Sequence, residues 1–466
     1  MTDRLLIEPG IGQWRSAHLG EDDLPLDVHF HDDPALGPAL GPVDAVMDGV
    51  VRRVDGALDM LFLDLGAGRT GVMNFRRARL MARDARAVAD CAREGDRLRV
   101  QVVAEPGERF DKGFPVTPRP KLAGRYVVVE SGKGRLNFSK DISPKMQAAL
   151  SDRLAPLATS AAVVVRGRAE NVAADHVVAE AERLVGALQG APGEPGLRFA
   201  WTPAEQALLV ADDGDGAILV DGGPAHRELL ALARRHWPDL VPRIVRHDGA
   251  EPAFETFGVD EAIDEALAER IDLPSGGWIG IEETRALTTV DVNMGAALAS
   301  LSPAEAKRQV NMEAALAVAF HLRFQDIGGL VVVDFIDCSK AVTQAVITVL
   351  DRALRDDPVP VHHGGISPFG LMEFSRKRRG RSLRQRMLSP GIPRPAPDMQ
   401  VLDLLRRAAR LGRDKAPGTL VLTLPQAAAR WLEAHPALLD GLGQETHRQV
   451  RLETGRAVDV ALLPDR

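Results

Sequence analysis

The sequence predicts an α/β protein of several domains, and three observations carry that prediction. The chain has 466 residues, room for about three domains at roughly 100–200 residues each. Hydrophobic residues make up 45% and charged residues 26%, the balance of a folded chain rather than a disordered or fibrous one. The element pattern also changes along the chain: short strands with glycine turns give way to a strand–helix–strand unit. No apolar run approaches the roughly 18 residues of a membrane helix, and residues 1–8 lack the apolar stretch of a signal peptide. Two cysteines, Cys91 and Cys338, exclude a disulfide framework and an all-cysteine zinc site within one chain. A reducing, cytoplasmic setting is the expectation.

Residues 44–54 alternate loosely and stop at the turn Asp55-Gly56. Residues 58–65, 70–75 and 97–104 follow as further strands, set apart by Gly66-Ala67-Gly68-Arg69 and Glu94-Gly95-Asp96. Strands this short and this regularly spaced suggest a small barrel such as an OB-fold. Residues 124–130 and 160–166 read as two more strands, and 174–188 and 225–236 as helices. Residues 206–211 and 217–220 read as strands joined by Asp213-Gly214-Asp215-Gly216. A helix over 260–269 enters the turn Leu273-Pro274-Ser275-Gly276-Gly277, and strands 278–281 and 286–292 come next. Ser302-Pro303-Ala304-Glu305 is a helix start: Ser as cap, Pro in the first position, Glu three beyond the cap. That helix runs to about Gln325 with Val310, Ala314, Ala317, His321 and Phe324 on one stripe. Asp326-Ile327-Gly328-Gly329 ends it, 330–336 is a buried strand, and 341–356 is a further helix. Four prolines within 387–399 mark a linker. The tail, 400–466, reads helix, strand, helix, strands: a small α/β module.

The net charge of −7 excludes a basic nucleic-acid coat, so distribution matters more than the sum. Residues 376–386 hold seven cations, while acid is spread over 104–111, 211–215 and 248–268. The basic run is either a solvated helix face, the commoner origin of such a run, or a contact for a polyanion held at one place.

Two carboxylates lie where strands should be apolar. In Thr288-Thr289-Val290-Asp291-Val292-Asn293, alternation puts Thr289, Asp291 and Asn293 on one face. In Val331-Val332-Val333-Asp334, the aspartate follows a run that should be buried, where an ionised group must be paired, hydrogen-bonded or bound to a metal. A strand–helix–strand crossover over 286–336 brings the two strand ends together. Two hard oxygen ligands there suit Mg²⁺, with Asn293 orienting one of them. The alternative is that each aspartate caps nearby backbone amides at a strand end.

The constellation resembles the catalytic region of the ribonuclease E/G family. The stretches that carry the resemblance are Leu273-Pro274-Ser275-Gly276-Gly277, the run from Ala286 to Gly295, Asn311-Met312-Glu313-Ala314-Ala315, the run from Gly328 to Asp337, and Phe369-Gly370-Leu371-Met372-Glu373-Phe374-Ser375-Arg376-Lys377-Arg378. Asp291 and Asp334 also stand 43 residues apart, as in the family. Weaker similarity covers nearly the whole chain. The resemblance implies an RNase H-like domain from 1–40 and 200–265, into which an S1-type OB-fold (41–122) and a 5′-end sensor region (123–199) are inserted. A DNase I-like catalytic domain (266–387), a linker (388–399) and a small C-terminal domain (400–466) follow.

It further implies a Mg²⁺-dependent endoribonuclease, with Mn²⁺ an acceptable substitute, that cuts single-stranded RNA to 3′-hydroxyl and 5′-phosphate ends. Asp291 and Asp334 match the metal ligands and Asn293 the residue that supports them. Phe62 matches an aromatic that stacks a base, although a core position of the barrel explains it equally; a second expected aromatic is here Val72-Met73. Lys112 matches a phosphate-contacting lysine, and Arg376 and Lys377 fall in the basic run assigned to RNA. Gly124, Val128 and Arg166 match the pocket for a 5′-monophosphate, with Gly167 standing where the family has a threonine. The family's Cys-x-x-Cys zinc link is replaced by Ser389-Pro390-Gly391-Ile392-Pro393-Arg394-Pro395. No zinc is therefore expected, any homodimer is not organised by zinc, and Cys338 is expected as a core thiol. The layout is expected to resemble that of the family's shorter members rather than the longer enzyme with its disordered tail. The rival reading is a paralogue that binds RNA with weak or no cleavage; a phosphoesterase acting on other phosphates is a third.

Overall fold

In strand Met60–Asp64, Leu61 and Leu63 are fully buried while the residues between them are half exposed, the period-two signature of a strand with one face on a core. The computed structural model describes residues 4–34, 43–104, 113–284, 286–297, 302–337, 339–367, 369–378, 380–389, 394–413 and 417–464. Strand Met60–Asp64 pairs antiparallel with Val46–Asp55 and with Thr70–Asn74. Thr70–Asn74 runs parallel to Phe114–Thr117, which pairs with Arg97–Val102, and that strand returns to Val46–Asp55. Five strands thus close into a barrel around Met47, Val51, Leu63, Met73, Val100 and Val116, with Gly196–Phe199 added along Val46–Asp55. The protein is a mixed α/β fold of several sheets and this barrel.

The chain forms two units. One comprises residues 1–16, 30–248 and 401–466; the other comprises 17–29 and 249–400. Besides the barrel, the first holds a sheet in the order Arg135–Phe138, Ala161–Val165, Val127–Ser131, Lys121–Ala123. It also holds the parallel strands Arg4–Glu8, Ile218–Asp221 and Ile244–His247; of the hairpin Gln13–Leu19 and Pro25–Asp32, residues 17–29 belong to the second unit. Its last sheet has Thr419–Leu424 between Val450–Thr454 and Asp459–Leu463. The expected strand over 206–211 is instead part of helix Pro203–Leu209. Thr202 caps it, Pro203 opens it and Glu205 closes the capping box, so local helix-start chemistry overrides the apolar run Ala207–Val210.

The second unit is built on a sheet in the order Ile271–Asp272, Trp278–Glu283, Leu287–Asn293, Gly329–Asp334, Leu371–Arg376, Val361–Ile366. Leu287–Asn293 and Gly329–Asp334 are parallel and joined through helix Pro303–Phe324, whose capping box uses Ser302 and Glu305. Val310, Ala314, Val318 and Leu322 of that helix pack with Val290, Val292, Val331 and Val333 in one core. The expected linker is partly structured: Leu388 bridges to Pro395, the Ser389 N–H donates to the Arg394 carbonyl at 2.8 Å, and helix Pro397–Gly412 begins inside the span. Residues 390–393 and Cys338 lie outside the described residues. Among the described residues, no helix is long and apolar enough to cross a membrane.

Candidate active site

Asp291 and Asp334 are register partners on adjacent parallel strands. Such partners point to the same face, on strands about 4.8 Å apart. Both are exposed, while Val290, Val292 and Val333 turn inward to the core. The Asn293 amide donates to Asp291 Oδ2 at 2.8 Å, so two residues of one strand act as a unit. Gly280 lies opposite Asp291 on the next strand, and the Trp278 ring comes within 3.5 Å of where its Cβ would be. Beyond Asp334, the turn Ser367–Leu371 comes close: a Cβ on Gly370, whose φ is +83°, would sit 3.9 Å from Asp334 Oδ1. The face thus offers two hard oxygen donors with an amide orienting one of them, a donor set that fits an ion of the Mg²⁺ class.

The helix behind this sheet holds the strand ends in place. Asn311, fully buried, donates its amide to the Ile336 carbonyl at 2.7 Å and accepts the Ile336 N–H at 3.0 Å, two residues beyond Asp334. Glu313 accepts the Ser275 N–H at 2.9 Å and fixes the Leu273–Gly277 turn. These parts of the recognised motif position the carboxylates. Glu373, which the sequence reading passes over, is exposed and opposite Val332, on the same face as Asp291 and Asp334. The alternation of Met372 and Phe374 inward with Glu373 and Ser375 outward carries that signal.

The same alternation turns Arg376, expected in the RNA-binding run, to the enclosed side of the sheet. It shares parity with Met372 and Phe374, and its side chain is fully buried. Its Nε and Nη2 donate to Asp357 at 2.8 and 3.1 Å, and its Nη1 to Asp326 at 2.6 Å and to the Ile327 carbonyl at 3.1 Å. It braces the fold from the enclosed side of the sheet. Arg378 donates to the Gly328 carbonyl at 2.9 Å, and its side chain fills the space that a Cβ on Gly329 (φ +103°) would need. Arg384 donates to the carbonyls of Leu267 and Ala268. Among the described residues the basic run is not a continuous open stripe: Lys377 and Arg378 are exposed, and Arg376 is enclosed.

On the barrel, Phe62 lies on the outer side, half exposed, with the Arg53 guanidinium 4.1 Å from its ring centre. It is not a core residue; Leu61 and Leu63 beside it are. Near the partner strand, Leu58, Phe75, Arg76, Arg79 and Arg83 line an open groove. Lys112 lies outside the described residues.

Gly124, Val128, Arg166 and Gly167 meet at one end of the four-stranded sheet. Arg166 donates to the Gly124 carbonyl at 2.7 Å, Val128 pairs with Ala123, and Gly167 follows Arg166. Beneath Gly124, buried Glu180 accepts the N–H groups of Arg125, Tyr126 and Val127 and the Trp237 indole N–H. A Cβ on Gly124 would strike that carboxylate at 2.5 Å, which is why glycine stands there. A side chain on Gly167 would begin 3.2 Å from Asp141 Oδ2, so a carboxylate borders this corner.

A sequence model described as the ribonuclease E/G family matches residues 121–379. The chain is 26% identical over 408 residues to ribonuclease G of Salmonella typhimurium (strain SL1344), covering 82% of this chain and 81% of that protein. It is 30% identical over 367 residues to ribonuclease E of Escherichia coli (strain K12), covering 72% of this chain and 34% of that protein. With ribonuclease E of Nostoc sp. (strain PCC 7120) it shares 31% over 358 residues, 72% of this chain and 51% of that one.

Proposed function

The chain belongs to the ribonuclease E/G family, and on that premise we propose that it is a metal-dependent endoribonuclease acting on single-stranded RNA. It leaves 3′-hydroxyl and 5′-phosphate ends and works in the cytoplasm, in rRNA or tRNA processing or mRNA decay. The observation that carries the reading is the register pairing of Asp291 with Asp334 on an open, uncovered face. Asp291 and Asp334 would hold Mg²⁺ or Mn²⁺, both of which accept carboxylate and water ligands. Such an ion supplies Lewis-acid chemistry, making water more acidic and offsetting charge on the phosphoryl oxygens. Asn293 keeps the Asp291 carboxylate turned to the open face, and Asn311 holds the backbone beyond Asp334.

Phe62 and the groove lined by Phe75, Arg76, Arg79 and Arg83 hold the RNA strand, the aromatic rings by stacking and the guanidinium groups on phosphate. Lys112 and Lys377 add phosphate contacts. The barrel is the S1-type OB-fold, the sheet around Arg4–Glu8 the RNase H-like domain, and the six-stranded sheet the DNase I-like catalytic domain. The corner of Gly124, Val128, Arg166 and Gly167 is the 5′-end sensor. Gly167 offers no hydroxyl and Asp141 adds a negative charge nearby, so this chain distinguishes a 5′-monophosphate weakly. That weakness also motivates the rival, an RNA-binding paralogue with little cleavage.

The test is cleavage of a short AU-rich single-stranded RNA with Mg²⁺ or EDTA, using wild type and Asp291→Asn, on 5′-monophosphate and 5′-hydroxyl substrates. Cleavage that needs Mg²⁺ and falls by about 10²–10³-fold or more in Asp291→Asn is expected, the scale of removing one electrostatic contributor. Similar rates on the two 5′ ends are expected as well. Binding without cleavage in every condition would make the chain an RNA-binding paralogue.

A further inference from the structure

We propose that His18, Asp27 and His29 form a binding site for a transition-metal ion of the Zn²⁺ class, distinct from the Asp291–Asp334 pair. His18 lies on strand Gln13–Leu19, and Asp27 and His29 lie on the neighbouring strand Pro25–Asp32. Asp27 and His29 are two residues apart and so share a face. His18 Nδ1 is 2.7 Å from Asp27 Oδ1, and His29 Nε2 is 3.2 Å from the same oxygen. The three ligand atoms lie within 4.8 Å of one another. Donors on a tetrahedral ion with bonds of about 2.0–2.1 Å stand about 3.3 Å apart. A modest widening of this cluster therefore admits the ion.

The surroundings fit a built site. The Asp27 side chain is 9% exposed, that of His18 13% and that of His29 30%, so the cluster is largely enclosed and opens at His29. The two imidazole rings stand edge to face, 5.8 Å between centres, with both ring nitrogens turned to one oxygen. The other Asp27 oxygen is taken by Arg323 at 3.0 Å, from the helix that backs the Asp291 and Asp334 strands. The His18 main-chain N–H also reaches Oδ1 at 3.2 Å and fixes the carboxylate's rotation. A ligating carboxylate whose outer oxygen is held by a hydrogen-bond donor is the usual arrangement around a protein metal ion. Two nitrogens and one carboxylate select a borderline ion such as Zn²⁺ over Mg²⁺, which wants oxygen throughout. Three protein ligands leave a fourth position open to water. To bind the ion, each ligating nitrogen must offer its lone pair, so each neutral imidazole carries its proton on the ring nitrogen away from Asp27.

Co²⁺ is the probe, because it occupies Zn²⁺ sites and its visible absorption reports tetrahedral coordination. The protein is the full chain carrying Asp291→Asn and Asp334→Asn, so that the open-face carboxylates contribute nothing and RNA cleavage plays no part in the readout. One equivalent of Co²⁺ bound with a tetrahedral spectrum, displaced by Zn²⁺ and lost in His29→Ala, is the expected result. Arg323→Gln should retain the spectrum with affinity weakened about 10–100-fold, the cost of removing such an outer partner. His29 is the most exposed of the three, so its replacement is the least threat to folding. As a second readout, Zn²⁺ should raise the unfolding midpoint of the parent and leave that of His29→Ala unchanged. A parent that takes up no Co²⁺ at micromolar concentrations would overturn the proposal, as would a spectrum that survives His29→Ala. The cluster would then be a carboxylate hydrogen-bonded by two imidazoles and nothing more.

Discussion

The six-stranded sheet carries charge on both faces and treats it in opposite ways. On the open face Asp291, Asp334 and Glu373 stand in solvent, and Asn293 orients the first of them. On the buried face the Arg376 guanidinium is enclosed and divided between Asp357 and Asp326. Burial pulls the Arg376 pKa down, and the bonds to the two carboxylates more than restore it, so the net shift is upward. A charge taken out of water must be matched inside the fold, and a matched charge is no longer available to a ligand. A charge left in water costs little to keep and stays available. Adjacent residues of one strand can therefore belong to different systems, one to the chemistry and one to the scaffold.

Two substitutions break the comparison in opposite directions. Arg376→Gln strands Asp357, whose side chain is 2% exposed, and should cost about 3–5 kcal/mol, as removal of one partner of a buried pair does. Urea unfolding of the second unit, followed by the fluorescence of Trp278, reads this as a lower midpoint. Asp334→Asn should leave the midpoint within about 0.5 kcal/mol of wild type while cleavage collapses. Equal stability of the two variants would mean that the buried pair contributes nothing and that the faces do not differ as described.

The next effect comes from His321, on the helix packed against the buried face. Burial alone depresses its pKa to about 4, because the interior disfavours the imidazolium. Between about pH 6.5 and 4 the unfolded chain binds a proton there that the folded chain refuses. Stability therefore falls as pH falls through that window and is level above it. The difference corresponds to about 3 kcal/mol. Unfolding midpoints at pH 7.5 and pH 4.5 measure it, and His321→Gln should remove most of the difference. An unchanged pH dependence in that variant would assign the acid sensitivity to other groups.

What could be read beforehand follows the same division. Asp291 stands out because a carboxylate in an alternating strand is a local anomaly, and a crossover between parallel strands brings like positions together. Asp334 is expected after a fully buried run, but that strand is open on one face, with Leu330 43% exposed and Asp334 in solvent. Arg376 was legible by the same parity, since Met372, Phe374 and Arg376 fall on one side, but the weight of seven cations in 376–386 obscured it. Helix Pro203–Leu209 carries in Thr202-Pro203-Ala204-Glu205 the same start signal as Ser302-Pro303-Ala304-Glu305, with the strand-like apolar run Ala207–Val210 competing against it. Other features had no local signal. Glu180 beneath Gly124 and Asp141 beside Gly167 each depend on how separate segments register, which no short window of sequence contains.

Lys377 gives the smallest effect and the sharpest contrast, because it follows Arg376 directly. It is exposed where Arg376 is enclosed, so its ammonium can meet a phosphate without giving up a partner in the fold. Lys377→Gln should leave the urea midpoint within about 0.5 kcal/mol of wild type. It should weaken binding of single-stranded RNA roughly uniformly across sequences. The dependence of log affinity on log salt should flatten by about 0.7, the counterion released by one phosphate contact on a single strand. Filter binding to the Asp291→Asn protein at several salt concentrations measures this without cleavage. An unchanged slope would take Lys377 off the RNA path. The electrostatic grip would then rest on the barrel, where Arg76, Arg79 and Arg83 line the groove beside Phe75.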